Sequence, residues 1–151
     1  MGVNSSYSEN SPESRERICE LLATAGADEL VALADRCLVG ARLRVVRPPE
    51  TGTVLTRVRE PIAGIRVNFV DLLVSTAEVE VDGSPGWGMR VGRQPDAALA
   101  QAVCDAQLAL GGPLADSIRR LAAEVEGAAK LAREAEWETL APTIVEFEEV
   151  L

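Results

Sequence analysis

Apolar positions recur every three to four residues in both flanks of the chain and every second residue in its middle, a pattern that predicts helices on either side of a sheet. Ile18, Leu21, Leu22 and Ala25 share a helical face, with Ser11 expected as the cap, Pro12 as the first helical residue and Gly26 as the stop. Leu30, Leu33, Cys37 and Leu38 mark a second helix ending at Gly40, so the chain opens with a helical hairpin. From Ala41 the period falls to two. Strands are expected at 42–47, 53–59, 66–81 and 86–92, the last two joined by the turn Asp82-Gly83-Ser84-Pro85-Gly86.

Alternation assigns Val54, Val58, Val79, Val81, Trp87, Met89 and Val91 to a core face, with Arg57, Arg59, Glu78, Glu80 and Arg90 opposite, as in a half-buried antiparallel meander. Pro95 opens a third helix with Leu99, Ala102, Val103, Ala106 and Leu110 inward, closed by Gly111-Gly112. Pro113 opens a long fourth helix reaching about Trp137, with Leu114, Ile118, Leu121, Val125 and Leu131 in register. After Pro142, Val145 and Phe147 alternate with Glu146 and Glu148 as a last strand would. The expected fold is α+β: residues 12–151 form one domain behind a polar, disordered tail at 1–11.

Between the first two expected strands stands Arg47-Pro48-Pro49-Glu50-Thr51-Gly52, a stiff loop with two amide donors removed, suited to a plain turn or to holding a ligand. At 91–95 a strand end, Gly92, Arg93 and the helix-opening Pro95 make an entrance where free amides and the helix dipole favour an anion, unless Asp96 supplies that charge itself. Arg57, Arg59 and Arg90 could gather an anion or pair with Glu78 and Glu80 in a cross-strand ladder. Glycines at 83, 86, 88 and 92 lie before and within a strand, and no Lys-Ser/Thr follows them, so they belong to hairpin and strand geometry and not to a nucleotide loop.

Composition narrows the chemistry. The chain has no histidine, which removes Ser-His and Cys-His nucleophile pairs and imidazole metal ligands. Its cysteines, Cys19, Cys37 and Cys104, are odd in number and set in apolar helical stretches, as buried thiols are. Net charge is −9, yet residues 42–93 hold eight arginines against six acids, and the rest seven basic groups against eighteen acids. Fourteen of the fifteen basic residues are arginine, which favours forked contacts to carboxylate or phosphate. The acidic field and five scattered aromatics argue against nucleic acid, and no apolar run approaches the ~20 residues of a membrane span, so a cytoplasmic protein is expected.

The order of these pieces, with "RPPETG" (47–52), "VDG" (81–83), "VGR" (91–93) and "TIVEF" (143–147), resembles the G subunit of the phosphonate carbon–phosphorus lyase core complex over about residues 15–148. That resemblance implies a subunit without metal or cofactor that works with the other subunits of the complex. It would support transfer of a phosphonate onto the ribose carbon of ATP with loss of adenine, in ribose 1-phosphonate 5-triphosphate synthesis. The stiff loop and the helix entrance together make Glu50, Thr51, Gly52, Gly92 and Arg93 the expected ligand-binding residues, with phosphonate or ATP as the candidate ligand and no catalytic residue expected. The family's Gly-Gly-Thr-Gly loop is replaced here by "EPIAG", its Thr-Arg by Ser75-Thr76, and its His-Ala-Glu segment is absent. Fold and assembly therefore carry over better than participation in the reaction, and the rival reading is a stand-alone homo-oligomeric binding or scaffold module. A hydrolase built on Glu78 and Glu80 is a third, disfavoured by the flanking arginines.

Overall fold

The computed structural model describes residues 14–143. Its elements run α1 (Arg15–Leu22), α2 (Ala27–Cys37), β1 (Leu43–Arg59), β2 (Arg66–Val81), β3 (Ser84–Val91), α3 (Pro95–Leu110) and α4 (Ala115–Leu140), followed by a short 3-10 turn at Ala141–Thr143. The strands form one antiparallel sheet in the order β1-β2-β3. This is the expected α+β fold of helical hairpin, meander and two helices. The tail at 1–11, Ser11, Pro12 and the strand expected after Pro142 lie outside the described residues.

Boundaries of the first helices differ from expectation. α1 is capped by Ser14, whose Oγ accepts the amide of Arg17 at 3.2 Å, and Gly26 is the N-cap of α2, not the stop of α1. α4 begins at Ala115, and Leu131, expected inward, is 68% exposed because only Ala115, Ile118, Leu121 and Ala122 of α4 are buried.

The larger correction concerns "RPPETG", which is no loop between strands. β1 runs unbroken from Leu43 to Arg59, and the prolines sit in an irregularity where the register shifts between Arg47 and Glu50. Proline gives the ladder no donor, so it is tolerated here because β1 is an edge strand and the extra residue bulges outward.

The core lies between α3 and one face of the sheet. Ala77, Val79 and Val81 of β2 point into it, and the two β3 residues nearest α3 are Gly86 and Gly88. A methyl group on Gly86 would meet the Ala102 carbonyl oxygen at 2.0 Å, and one on Gly88 the Ala98 oxygen at 2.1 Å, so the helix backbone lies directly on the strand. Pairing then puts Trp87, Met89 and Val91 on the same face as Glu78, Thr76 and Val74, opposite the core residues Val79 and Val81. Sequence alternation inverted β3 because its core-facing positions are glycines and its large apolar residues face outward. Val54 and Val58, expected in the core, are 38% and 41% exposed.

The buried polar side chains all complete backbone ends. Arg90, expected on the charged face, is 4% exposed on the core side and donates to the carbonyls of Leu22 at 2.7 Å and Ala25 at 2.6 Å, closing the C-terminal end of α1. Gln107 Nε2 donates to the Cys37 carbonyl at the end of α2 at 3.1 Å. On α3, Gln101 and Asp105 lie one turn apart and accept the β3 amides of Met89 at 3.1 Å and Trp87 at 2.9 Å, so the helix closes that edge of the sheet.

Candidate functional site

The two segments singled out as ligand-binding meet at one side chain. Thr51 on β1 is paired with Ser75 on β2, and their hydroxyl oxygens are 3.0 Å apart. Ser75 is fully buried; its Oγ lies 2.9 Å from the carbonyl of Gly92 and accepts the amide of Gln94 at 2.8 Å. A serine hydroxyl has one proton and two lone pairs. The Gly92 carbonyl can only accept, so Ser75 donates there, the Gln94 amide fills one lone pair, and Thr51 donates to the other. Thr51 thereby keeps its own lone pairs for a further donor.

Backbone geometry sets this junction. Gly92 has φ 90, a left-handed conformation that turns the chain out of the sheet, and its amide donates to the Leu73 carbonyl at 2.7 Å. Gln94 follows as the N-cap of α3 without a side-chain cap bond, and Pro95 occupies the first turn. Glu50 and Gly52 flank Thr51 on exposed strand positions, paired with Thr76 and Val74, and nothing stands within 4 Å of a side chain built on Gly52. Of the five expected residues, Thr51 and Gly92 therefore meet at Ser75, where the sheet narrows from three strands to two, while Glu50 and Gly52, paired with Thr76 and Val74, face the other side of the sheet and Arg93 continues beyond Gly92.

Arg93 is exposed and lines a groove of about 490 Å³ between α2 and the start of α3, with Asp28, Val31, Asp35, Pro95 and Asp96. Three carboxylates thus share the groove with one guanidinium. Such a setting draws an anion less than the helix entrance alone would.

The other arginine cluster does not form. Arg90 is buried beneath α1, while Glu80 is held by Arg44, whose Nε donates at 2.9 Å, and Glu78 by Arg47 at 3.5 Å. The hydrogen bond from Arg44 lowers the Glu80 pKa, so Glu80 is a structural anion in a ladder and not a general acid.

A second groove, of about 440 Å³ between α1 and β3, is lined by Arg15, Cys19, Trp87, Met89, Gln101 and Asp105. Its polar groups serve the fold. Asp105 accepts Arg15 Nε at 2.6 Å and Nη2 at 2.8 Å, the Cys19 thiol at 2.9 Å and the Trp87 amide. Burial, then the bond to Asp105, push the Cys19 thiol well above its ordinary range, opposite to the shift that makes a cysteine nucleophilic. Cys104 is raised by its hydrogen bond with Cys37 and by burial. Among the described residues no three of His, Cys, Asp or Glu are grouped to hold a metal ion, and no helix is long and apolar enough to cross a membrane.

Sequence reasoning missed Ser75, Gln101 and Asp105. The signal for the last two is their i, i+4 spacing in the run "ALAQAVCDAQLAL", whose one other polar residue is Gln107; for Ser75 it is one hydroxyl on the core-facing phase of β2. The family model described as phosphonate metabolism protein PhnG matches residues 13–151 of the chain. Comparison with curated proteins gave no match.

Proposed function

Because the chain belongs to the PhnG family of phosphonate metabolism proteins, we propose that it serves as an accessory subunit of a cytoplasmic phosphonate-processing complex of the carbon–phosphorus lyase type. In this reading it supports transfer of a phosphonate onto the ribose carbon of ATP with loss of adenine, giving ribose 1-phosphonate 5-triphosphate, and partner subunits carry out the chemistry. The observation that carries the reading is the convergence of "RPPETG" and "VGR" on Ser75: two segments far apart in sequence are tied into one rigid surface by a buried hydroxyl. Thr51 presents free lone pairs there and Arg93, one residue beyond Gly92, offers a forked donor, a pair suited to a partner's polar groups or to a phosphonate or ATP oxygen, while Gly52 leaves the opposite face of the strand open.

The chain's titratable groups suit support better than catalysis. It has no histidine, Cys19 and Cys104 are raised thiols, and Glu80 is paired with an arginine. Acids crowding Arg93 favour recognition of a partner surface over capture of a free anion, which also suits the second reading, a homo-oligomeric scaffold. The test is co-expression of the tagged chain with the other subunits, comparing wild type with Thr51→Val and Arg93→Ala. Loss of co-purification or of complex activity with unchanged folding supports the site. Wild-type behaviour of both variants removes it.

A further inference from the structure

Past Val74 the sheet continues as a two-stranded arm. β3 ends at Val91, opposite Val74, while β1 and β2 stay paired as far as Arg59 and Arg66, about 26 Å further on. No residue from Gly52 to Leu73 is buried. A bare two-stranded ribbon is marginal in water, so the arm calls for a cover.

Its tip is already shaped. The Glu60 carboxylate accepts the amides of Ile62 at 2.7 Å and Ala63 at 2.6 Å, its carbonyl accepts that of Gly64 at 3.0 Å, and its own amide donates to the Ile65 carbonyl at 2.8 Å. This turn holds Ile62 94% exposed at the end of the arm, with Ile65 exposed beside it. A fixed turn of this kind loses little freedom on docking. Along the arm both faces need cover. One is apolar, with Val54 beside Leu72, Thr56 beside Val70 and Val58 beside Val67. The other begins with Leu73 beside Thr53 and Leu55 beside Asp71, and ends toward the tip with Arg57 beside Asn68 and Arg59 beside Arg66. None of these three arginines enters an ion pair among the described residues, so two guanidiniums face each other across the strands without a counter-charge.

These features choose among possible covers. A second copy laid ribbon on ribbon covers one face of each arm and leaves the other in water, and the grooves of about 440 and 490 Å³ on this chain have room for a small ligand and not for a strand pair. Lipid leaves the backbone groups on both edges of a ribbon unpaired, and a net charge of −9 is repelled by anionic headgroups. A cleft in another protein covers both faces at once and can supply carboxylates. We propose that the arm, residues 53–73, inserts into a cleft of a partner subunit, with Ile62 in an apolar pocket at its end and carboxylates facing Arg57, Arg59 and Arg66. This rests on the reading of the chain as a subunit of a phosphonate-processing complex and names the surface by which it joins.

The test is hydrogen exchange on the full chain, free and in the complex purified after co-expression with the other subunits. Amides in 53–73 are expected to exchange at least about tenfold more slowly in the complex. Ile62→Asp is expected to raise the Kd for the partner subunits about 30-fold, and Arg59→Glu with Arg66→Glu about 100-fold, with unchanged melting curves because nothing in the arm is buried. A wild-type chain that binds none of those subunits removes the phosphonate reading and the arm's role with it. Wild-type binding with an arm that still exchanges freely, or with both variants binding normally, overturns the arm alone. Self-association in sedimentation, or binding to phosphatidylglycerol vesicles, that these variants abolish assigns the arm to another occupant and overturns the proposal too.

Discussion

The hydroxyls of Thr51 and Ser75 stand 3.0 Å apart across neighbouring strands, and through Ser75 that contact reaches Gly92 and Gln94. A local pairing thus positions the exit of β3 and the first turn of α3. Ser75→Ala would leave the Gln94 amide and the Gly92 carbonyl without their buried partner, at a cost of about 1–3 kcal/mol. Thr51→Val removes one hydrogen bond at constant volume and is expected to cost about 1 kcal/mol. Urea unfolding of both variants checks the order.

Two glycines of similar appearance are expected to respond oppositely. Gly88→Ala drives a methyl group to 2.1 Å from the Ala98 carbonyl oxygen and must push α3 off the sheet, so little folded protein is expected. Gly52→Ala meets nothing within 4 Å and should be neutral or stabilising by about 0.5–1 kcal/mol. If Gly52→Ala melts like wild type yet loses complex activity, Gly52 marks a contact surface.

Asp105 joins α1, α3 and β3 through Arg15, Cys19 and the Trp87 amide. Asp105→Ala is expected to destabilise by about 3–5 kcal/mol, as loss of one partner of a buried ionic network does. Arg15→Ala should cost less, because the Cys19 thiol and the Trp87 amide still donate to the Asp105 carboxylate and the Arg15 side chain is itself 44% exposed. Thermal unfolding of the two variants separates these roles.

Much of the architecture was legible because the signals were strong. Period switching marked helices and strands, Pro95 and Gly111 bracketed α3, and Ile18, Leu22, Leu30 and Ile118 read correctly as core. The failures came where backbone contact outranks side-chain pattern. Gly86 and Gly88 carry no hydrophobic signal, so β3 read inside out and Arg90 read as a surface residue. Pro48-Pro49 read as a loop because proline breaks a central strand, whereas an edge strand absorbs it as a bulge. The two motifs were visible separately, but the meeting of Thr51 and Gly92 at Ser75 depends on long-range register, which no local pattern contains.

Stability should depend on alkaline pH through the thiols. Cys19 carries this, its folded-state pKa being raised above the ordinary 9.0 by burial and by Asp105, whereas Cys37 and Cys104 share a hydrogen bond that lowers one and raises the other, so that their contributions oppose. The Cys19 contribution is therefore fully present below about pH 8.5–9, where the unfolded thiol is protonated too, and falls as pH rises further because this thiol ionises only in the unfolded chain. The melting temperature is expected to fall above pH 9, less steeply in Cys19→Ala. Alkylation of native protein at pH 8 should be slow at Cys19 and Cys104 and become fast on unfolding.

The central claim is that this chain supports a phosphonate-processing complex without performing its chemistry. The direct measurement is adenine release from ATP in the presence of a phosphonate, using the purified partner subunits with and without this protein. The account predicts no release by this chain alone, little by the partners alone, and full activity when they are combined as a complex that co-purifies at fixed stoichiometry. Adenine release by the chain alone, or partners fully active in its absence, would contradict it.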